Sequence, residues 1–190
     1  MKIGIFCSAN GNVDKSFFSA TEELGMWIGR GGHSLVWGGC RLGLMETIAE
    51  NFKIGSKNLP EEKRGKLIGV IPEIIEERGK AFSPVDEAVY CKNLSQRKDI
   101  MINLSDVIIA LPGGIGTLDE IFTVTSAATI GYTNKKVILY NISGFWNPLI
   151  DLMNHLEAQG MVRGDYRQRI LEAKSIEELS SMFRLLPCQS

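Results

Sequence analysis

Short apolar runs alternate along the chain with longer stretches in which apolar positions return every three or four residues. The runs at 3–7, 34–37, 67–71, 88–91, 107–111 and 136–140 read as strands. The stretches at 14–31, 44–54, 94–104, 117–130, 145–157 and 175–185 read as helices. The first of these spaces Phe17, Leu24 and Ile28 along one face and closes on glycines, while the third strand stops at Pro72. Short, wholly apolar strands separated by helices predict a parallel sheet buried on both faces. The expected architecture is α/β, a three-layer, Rossmann-like, doubly wound parallel sheet with helices on both faces. Its 190 residues suit one domain, 1–190, with a sizeable core. The polar stretch 55–65 reads as a surface loop, and 76–87 as a mobile segment able to close over a ligand.

In such a sheet ligands sit at the carboxyl ends of the strands, beside the point where strand order reverses. Three loops rich in glycine or serine fall at that edge: 8–11, 38–43 and 112–117. The last is Pro112-Gly113-Gly114-Ile115-Gly116-Thr117, after an apolar strand and at the start of a helix. Glycines let backbone amides approach an anion, and a helix N-terminus presents unpaired N–H groups to it. Thr117 has two open roles there, capping the helix or donating to a phosphate oxygen. Glu120 suits the helix dipole but repels a bound phosphate, a tension that suggests chemistry beside binding.

Familiar nucleotide signatures do not fit. The 38–43 loop has the glycine spacing of a P-loop, but Leu44 stands where lysine is needed, and no G-x-G-x-x-G follows the first strand. Arg97 and Lys98 lie early in the helix that leads into the strand before the glycine loop. Either they face solvent, or the guanidinium of Arg97 meets an anion or a leaving group; residue chemistry alone leaves both open.

Composition narrows the picture little. The chain is 44% hydrophobic and 23% charged with a formal net charge of −1, so neither nucleic acid nor an anionic membrane is an expected partner. Cys7, Cys40, Cys91 and Cys188 have no paired spacing and read as reduced thiols. No signal-peptide pattern opens the chain and no apolar stretch nears the ~20 residues of a bilayer span, so a cytoplasmic protein is expected. His33 and His155 are far apart and read as surface residues.

Together, Ser95-Gln96-Arg97-Lys98 and Pro112-Gly113-Gly114-Ile115-Gly116-Thr117-Leu118-Asp119-Glu120 resemble the LONELY GUY family, an Arg-Lys pair followed by P-G-G-x-G-T-x-x-E. The resemblance runs from the first strand to about Val162, through Ile5-Phe6-Cys7-Ser8, Gly38-Gly39, Gly43-Leu44-Met45, Ile68-Gly69-Val70-Ile71-Pro72 and Gly144-Phe145-Trp146. It implies a phosphoribohydrolase that cleaves the N-glycosidic bond of a nucleoside 5′-monophosphate, a cytokinin riboside 5′-monophosphate or AMP. It further implies Arg97 and Glu120 as the catalytic pair, and Gly113, Gly114, Gly116 and Thr117 as the phosphate site. Lys98, Ser8, Gly39 and Met45 are further expected contacts. No metal or organic cofactor is implied, and a homodimer with sites near the interface is. Members of the family are often labelled lysine decarboxylases, but pyridoxal chemistry commonly needs a lysine after histidine. Here Ser34 follows His33 and Leu156 follows His155.

The chain departs from the family pattern at Leu94-Ser95 (often Met-His), Ala127 (usually Trp), Thr129 (often Gln) and Glu46 (usually Gly). These departures bear on the base pocket or the interface and make plain AMP as good an expected substrate as a prenylated one. The competing reading is a non-catalytic nucleotide or cofactor carrier, such as the molybdenum-cofactor carriers. It needs the glycine loop but not both Arg97 and Glu120.

Overall fold

The computed structural model describes residues 1–185. Seven parallel strands form one sheet: β1 (Lys2–Phe6), β2 (Ser34–Trp37), β3 (Leu67–Pro72), β4 (Glu87–Cys91), β5 (Val107–Ala110), β6 (Val137–Tyr140) and β7 (Ile170–Ala173). Their spatial order is β4-β3-β2-β1-β5-β6-β7, which reverses between β1 and β5. That is the switch point where a doubly wound sheet opens a crevice.

Strand alternation sorts the core into two layers. Ile3, Ile5, Cys7, Leu35 and Trp37 pack on one side with α1 (Lys15–Arg30), α2 (Gly43–Ser56) and Leu179 of α7 (Ile176–Leu185). Phe6, Val36, Ile68 and Val70 pack on the other with α4 (Leu94–Leu104), α5 (Ile115–Thr129) and α6 (Asn147–Ala158). Helices therefore cover both faces, as the patterning predicts. Asp14 caps α1 by accepting from the Ser16 amide at 2.8 Å, and Asn93 caps α4 by accepting from Gln96 at 2.9 Å. Among the described residues no helix is long and apolar enough to cross a membrane.

The structure corrects several expectations. It adds β7 and a one-turn helix, α3 (Glu73–Glu77), neither read from the sequence. The 76–87 segment, expected to be mobile, is held at its centre. Cys40 and Ala81 form an antiparallel bridge, Phe82 donates its amide to the Gly39 carbonyl at 2.8 Å, and the Phe82 ring packs edge-on to Trp37. His33 is not a free surface residue, since its ring lies among Trp27 and Phe183 and burial holds its pKa below the usual value. His155 is exposed. Cys7, Cys40 and Cys91 are free and buried, while Cys188 lies outside the described residues.

Candidate active site

Ser8 ties the loops of the crevice together. Its amide donates to the Pro112 carbonyl at 3.2 Å, its carbonyl accepts from Leu44 at 3.1 Å, and its hydroxyl accepts from the Asn10 amide at 3.0 Å. The β1, β2 and β5 loops thus meet at one point of the sheet edge. Gly43, at φ +56°, passes against the Ala9 and Asn10 backbone, with 2.7 Å between a built Cβ and the Asn10 carbonyl oxygen. Gly39, at φ +66°, lies against Ile71. Met45, an expected contact, instead packs into the core from the first turn of α2, 9% exposed.

The glycine loop opens α5 two residues earlier than the sequence suggests. Gly114 is the cap residue and no side chain caps the helix, so Thr117 does not serve as the cap. Thr117 is buried over Gly113, with its Oγ1 and Cβ where a Gly113 side chain would be. Nothing lies within 4 Å of a Cβ built on Gly114 or Gly116. The space beside these glycines is open, and the first-turn amides, which lack intrahelical acceptors, together with the helix dipole favour an anion at this end of the helix.

Two charged groups border that space. Glu120, one turn into α5, is 7% exposed, and its pKa is pushed up to about 7. Burial raises it, Asp119 adds to the rise, and Arg97 and Lys98 oppose it. Arg97 projects from the first turn of α4 onto Gly38, so that the guanidinium lies where a Gly38 side chain would begin. Its Nε is buried without a hydrogen-bond partner, and among the described residues it forms no salt bridge. Its positive charge also works against the rise that burial imposes on the Cys7, Cys40 and Cys91 thiols. An unpaired, half-buried guanidinium beside a buried carboxylate near neutrality costs stability, and such groups mark a candidate site.

Lys98, expected at the phosphate, is committed elsewhere in this structure: its ammonium donates to both carboxylate oxygens of Asp119 at 2.7 and 2.8 Å. The sequence reading passed over Asp119 as a partner, and its only signal was its place beside Glu120. Gly38, expected only as part of the 38–43 loop at the ligand edge, lies against Arg97.

Residues 53–183 match the family model described as "possible lysine decarboxylase". Over 183 residues the chain is 32% identical to a cytokinin riboside 5′-monophosphate phosphoribohydrolase of Rhodococcoides fascians, covering 92% of this chain and 85% of that one. The chain belongs to the LONELY GUY family. An Arabidopsis thaliana phosphoribohydrolase of the same name is 33% identical over 178 residues, 94% of this chain and 80% of its own. Among solved structures, the molybdenum cofactor carrier protein of Chlamydomonas reinhardtii superposes with a TM-score of 0.71 at 21% identity, covering 97% of each chain. The molybdenum cofactor binding protein of Rippkaea orientalis gives 0.66 at 20% identity, covering 97% of this chain and 95% of that one. These two likenesses show the shared fold.

Proposed function

We propose that this protein is a phosphoribohydrolase that hydrolyses the N-glycosidic bond of a nucleoside 5′-monophosphate to the free base and ribose 5-phosphate. The observation that carries the reading is the unpaired guanidinium of Arg97 and the buried carboxylate of Glu120 beside the open N-terminus of α5. The names of the curated relatives support the same reaction.

The 5′-phosphate sits on the first-turn amides of α5, against Gly113, Gly114, Gly116 and Thr117. Binding energy from that non-reacting group fixes the ribose for reaction. As the C1′–N bond breaks, its electron pair goes to the base and positive charge builds on the ribose. Ionised Glu120 faces that positive charge and orients the water, and Arg97 faces the negative charge on the departing base. Water supplies hydroxide to C1′ and a proton to the base. No metal or organic cofactor enters the scheme.

The same reading makes residues 1–190 a single nucleotide-monophosphate-binding domain of a cytoplasmic homodimer with sites near the interface. Ala127 and Thr129 stand where the family carries larger side chains. Thr129 also donates its hydroxyl to the Thr125 carbonyl at 2.8 Å. Both AMP and cytokinin riboside 5′-monophosphate are therefore substrates under this reading. A carrier of the molybdenum-cofactor type, the alternative on the same fold, would use the same glycine loop but has no use for Glu120 beside Arg97.

Chromatography of the products separates the two. Equal amounts of free base and ribose 5-phosphate from a 5′-monophosphate, and none from the corresponding nucleoside, support the hydrolase. A nucleotide that raises the melting temperature without releasing base supports the carrier.

A further inference from the structure

Of the glycines in the 38–43 loop, Gly39 and Gly43 have positive φ and so need glycine for their backbone conformation. Gly38 does not; its backbone conformation is open to any L residue. What excludes a side chain at position 38 is Arg97. A Cβ built on Gly38 falls on the guanidinium, and its three nearest atoms are all of Arg97: Nη2, then Cζ at 2.6 Å and Nε at 3.2 Å. Arg97 reaches this slot from α4, on the far side of β3 in sequence, and its buried Nε has no partner to hold it. Neither hydrogen bond nor ion pair fixes the guanidinium among the described residues, so the shape of the floor does.

We infer that Gly38 is a positioning residue: its missing side chain is the slot that seats the Arg97 guanidinium at the depth where it serves Glu120. The inference rests on the roles proposed above for Arg97 and Glu120. A methyl group at position 38 lifts the guanidinium toward solvent and away from the crevice. Glu120 is faced by Arg97 and Lys98 of α4, by its neighbour Asp119 on α5, and by the Cys7 thiol at the end of β1. Lys98 is paired with Asp119, so Arg97 is the free cation of the set. Withdrawing it leaves burial less opposed, and the carboxyl takes up its proton at higher pH.

The test is Gly38→Ala, alone and in an Arg97→Ala background, read by AMP turnover across pH and by ¹³C NMR titration of the Glu120 carboxyl. The single variant is expected to lose about tenfold or more in kcat with KM nearly unchanged, as for a catalytic group moved by about an ångström. Its acidic limb and the Glu120 titration both move to higher pH. In the Arg97→Ala background, where turnover is already almost gone, the same methyl group meets no guanidinium, so it lowers the melting temperature no further and leaves the Glu120 titration where it was. An additional loss in that background, or an unmoved Glu120 titration in the single variant, overturns the assignment. So does failure to fold in both backgrounds. If the wild-type protein releases no base from any nucleotide, the reaction fails as proposed, while the NMR titration still decides whether Gly38 seats Arg97.

Discussion

Lys98 holds both carboxylate oxygens of Asp119, at 2.7 and 2.8 Å, and so clasps the start of the second turn of α4 to the start of the second turn of α5. Each partner is the chain neighbour of a candidate catalytic residue, Lys98 of Arg97 and Asp119 of Glu120. The Lys98 side chain is 16% exposed and that of Asp119 51%, so the pair is worth about 1 kcal/mol or less in stability. Its larger effect is on geometry and charge. Lys98→Met is expected to lower kcat while shifting the melting temperature by only a few degrees. The acidic limb of the rate profile moves to higher pH, because a cation near Glu120 is lost and Asp119 is left uncompensated. A profile that keeps its midpoint would show that the clasp does not reach Glu120.

Glu120 makes stability depend on pH in a direction opposite to that of a salt-bridged carboxylate. Its folded pKa, about 7, lies above the ordinary glutamate value of 4.5. Between these values the folded state binds more protons than the unfolded one, so stability is full below the lower value and falls as pH rises through the higher. At about 1.4 kcal/mol per pKa unit the loss amounts to ~3.5 kcal/mol at most. Glu120→Gln removes it. The variant is expected to melt above the wild type at alkaline pH and close to it at acidic pH, while its turnover falls by roughly a hundredfold or more. Thermal unfolding across pH with a base-release assay checks both halves. A variant that melts below the wild type at alkaline pH contradicts the burial argument.

The open space over Gly116 separates binding from folding. A Cβ built there meets no heavy atom within 4 Å apart from its chain neighbours and its own helix backbone, so Gly116→Val is expected to leave the melting temperature within a few degrees of the wild type. The valine side chain occupies the volume proposed for the phosphate. Affinity for 5′-monophosphates falls at least tenfold and that for nucleosides much less, which calorimetric titration with AMP and adenosine would measure. Equal losses for both ligands would move the phosphate away from this loop.

Thr117→Val tests the hydroxyl alone. Thr117 is 3% exposed and its γ atoms pack over Gly113, so an isosteric methyl keeps the packing and removes one donor. KM for AMP is expected to rise about tenfold or more, since one hydrogen bond to a charged group is worth about 1.5–3 kcal/mol, and the fold persists. An unchanged KM would restrict phosphate contact to the backbone amides.

The chemistry of the site was more legible in the sequence than its supports. β1, β2, β3, β5 and β6 announce themselves because parallel strands buried on both faces are uninterrupted apolar runs, whereas β4, an edge strand exposed over most of its length, shows only through the short apolar stretch 88–91. β7 escaped because it is the other sheet edge, paired only with β6, and, unlike the 88–91 stretch, its Ile-Leu-Glu-Ala carries a charge mid-strand. α3 escaped because three of its five residues are glutamates and nothing in it is buried. The glycine loop and the Arg-Lys pair could be read in order, but not that Lys98 would turn to Asp119 or that Gly38 would lie under Arg97. Both contacts join segments far apart in the chain, and nothing in local spacing encodes them. The 76–87 segment misled because its charges suggest solvent, whereas Phe82 anchors it beside Trp37.

The central claim is that Arg97 and Glu120 together cleave a nucleotide held by the glycine loop. The most direct measurement is free base released from AMP by the wild-type protein, Arg97→Ala and Glu120→Gln, at saturating substrate. The expected result is multiple turnovers by the wild type and almost none by either variant, with AMP still raising the melting temperature of Glu120→Gln. Base release at a near-normal rate from either variant would contradict the account.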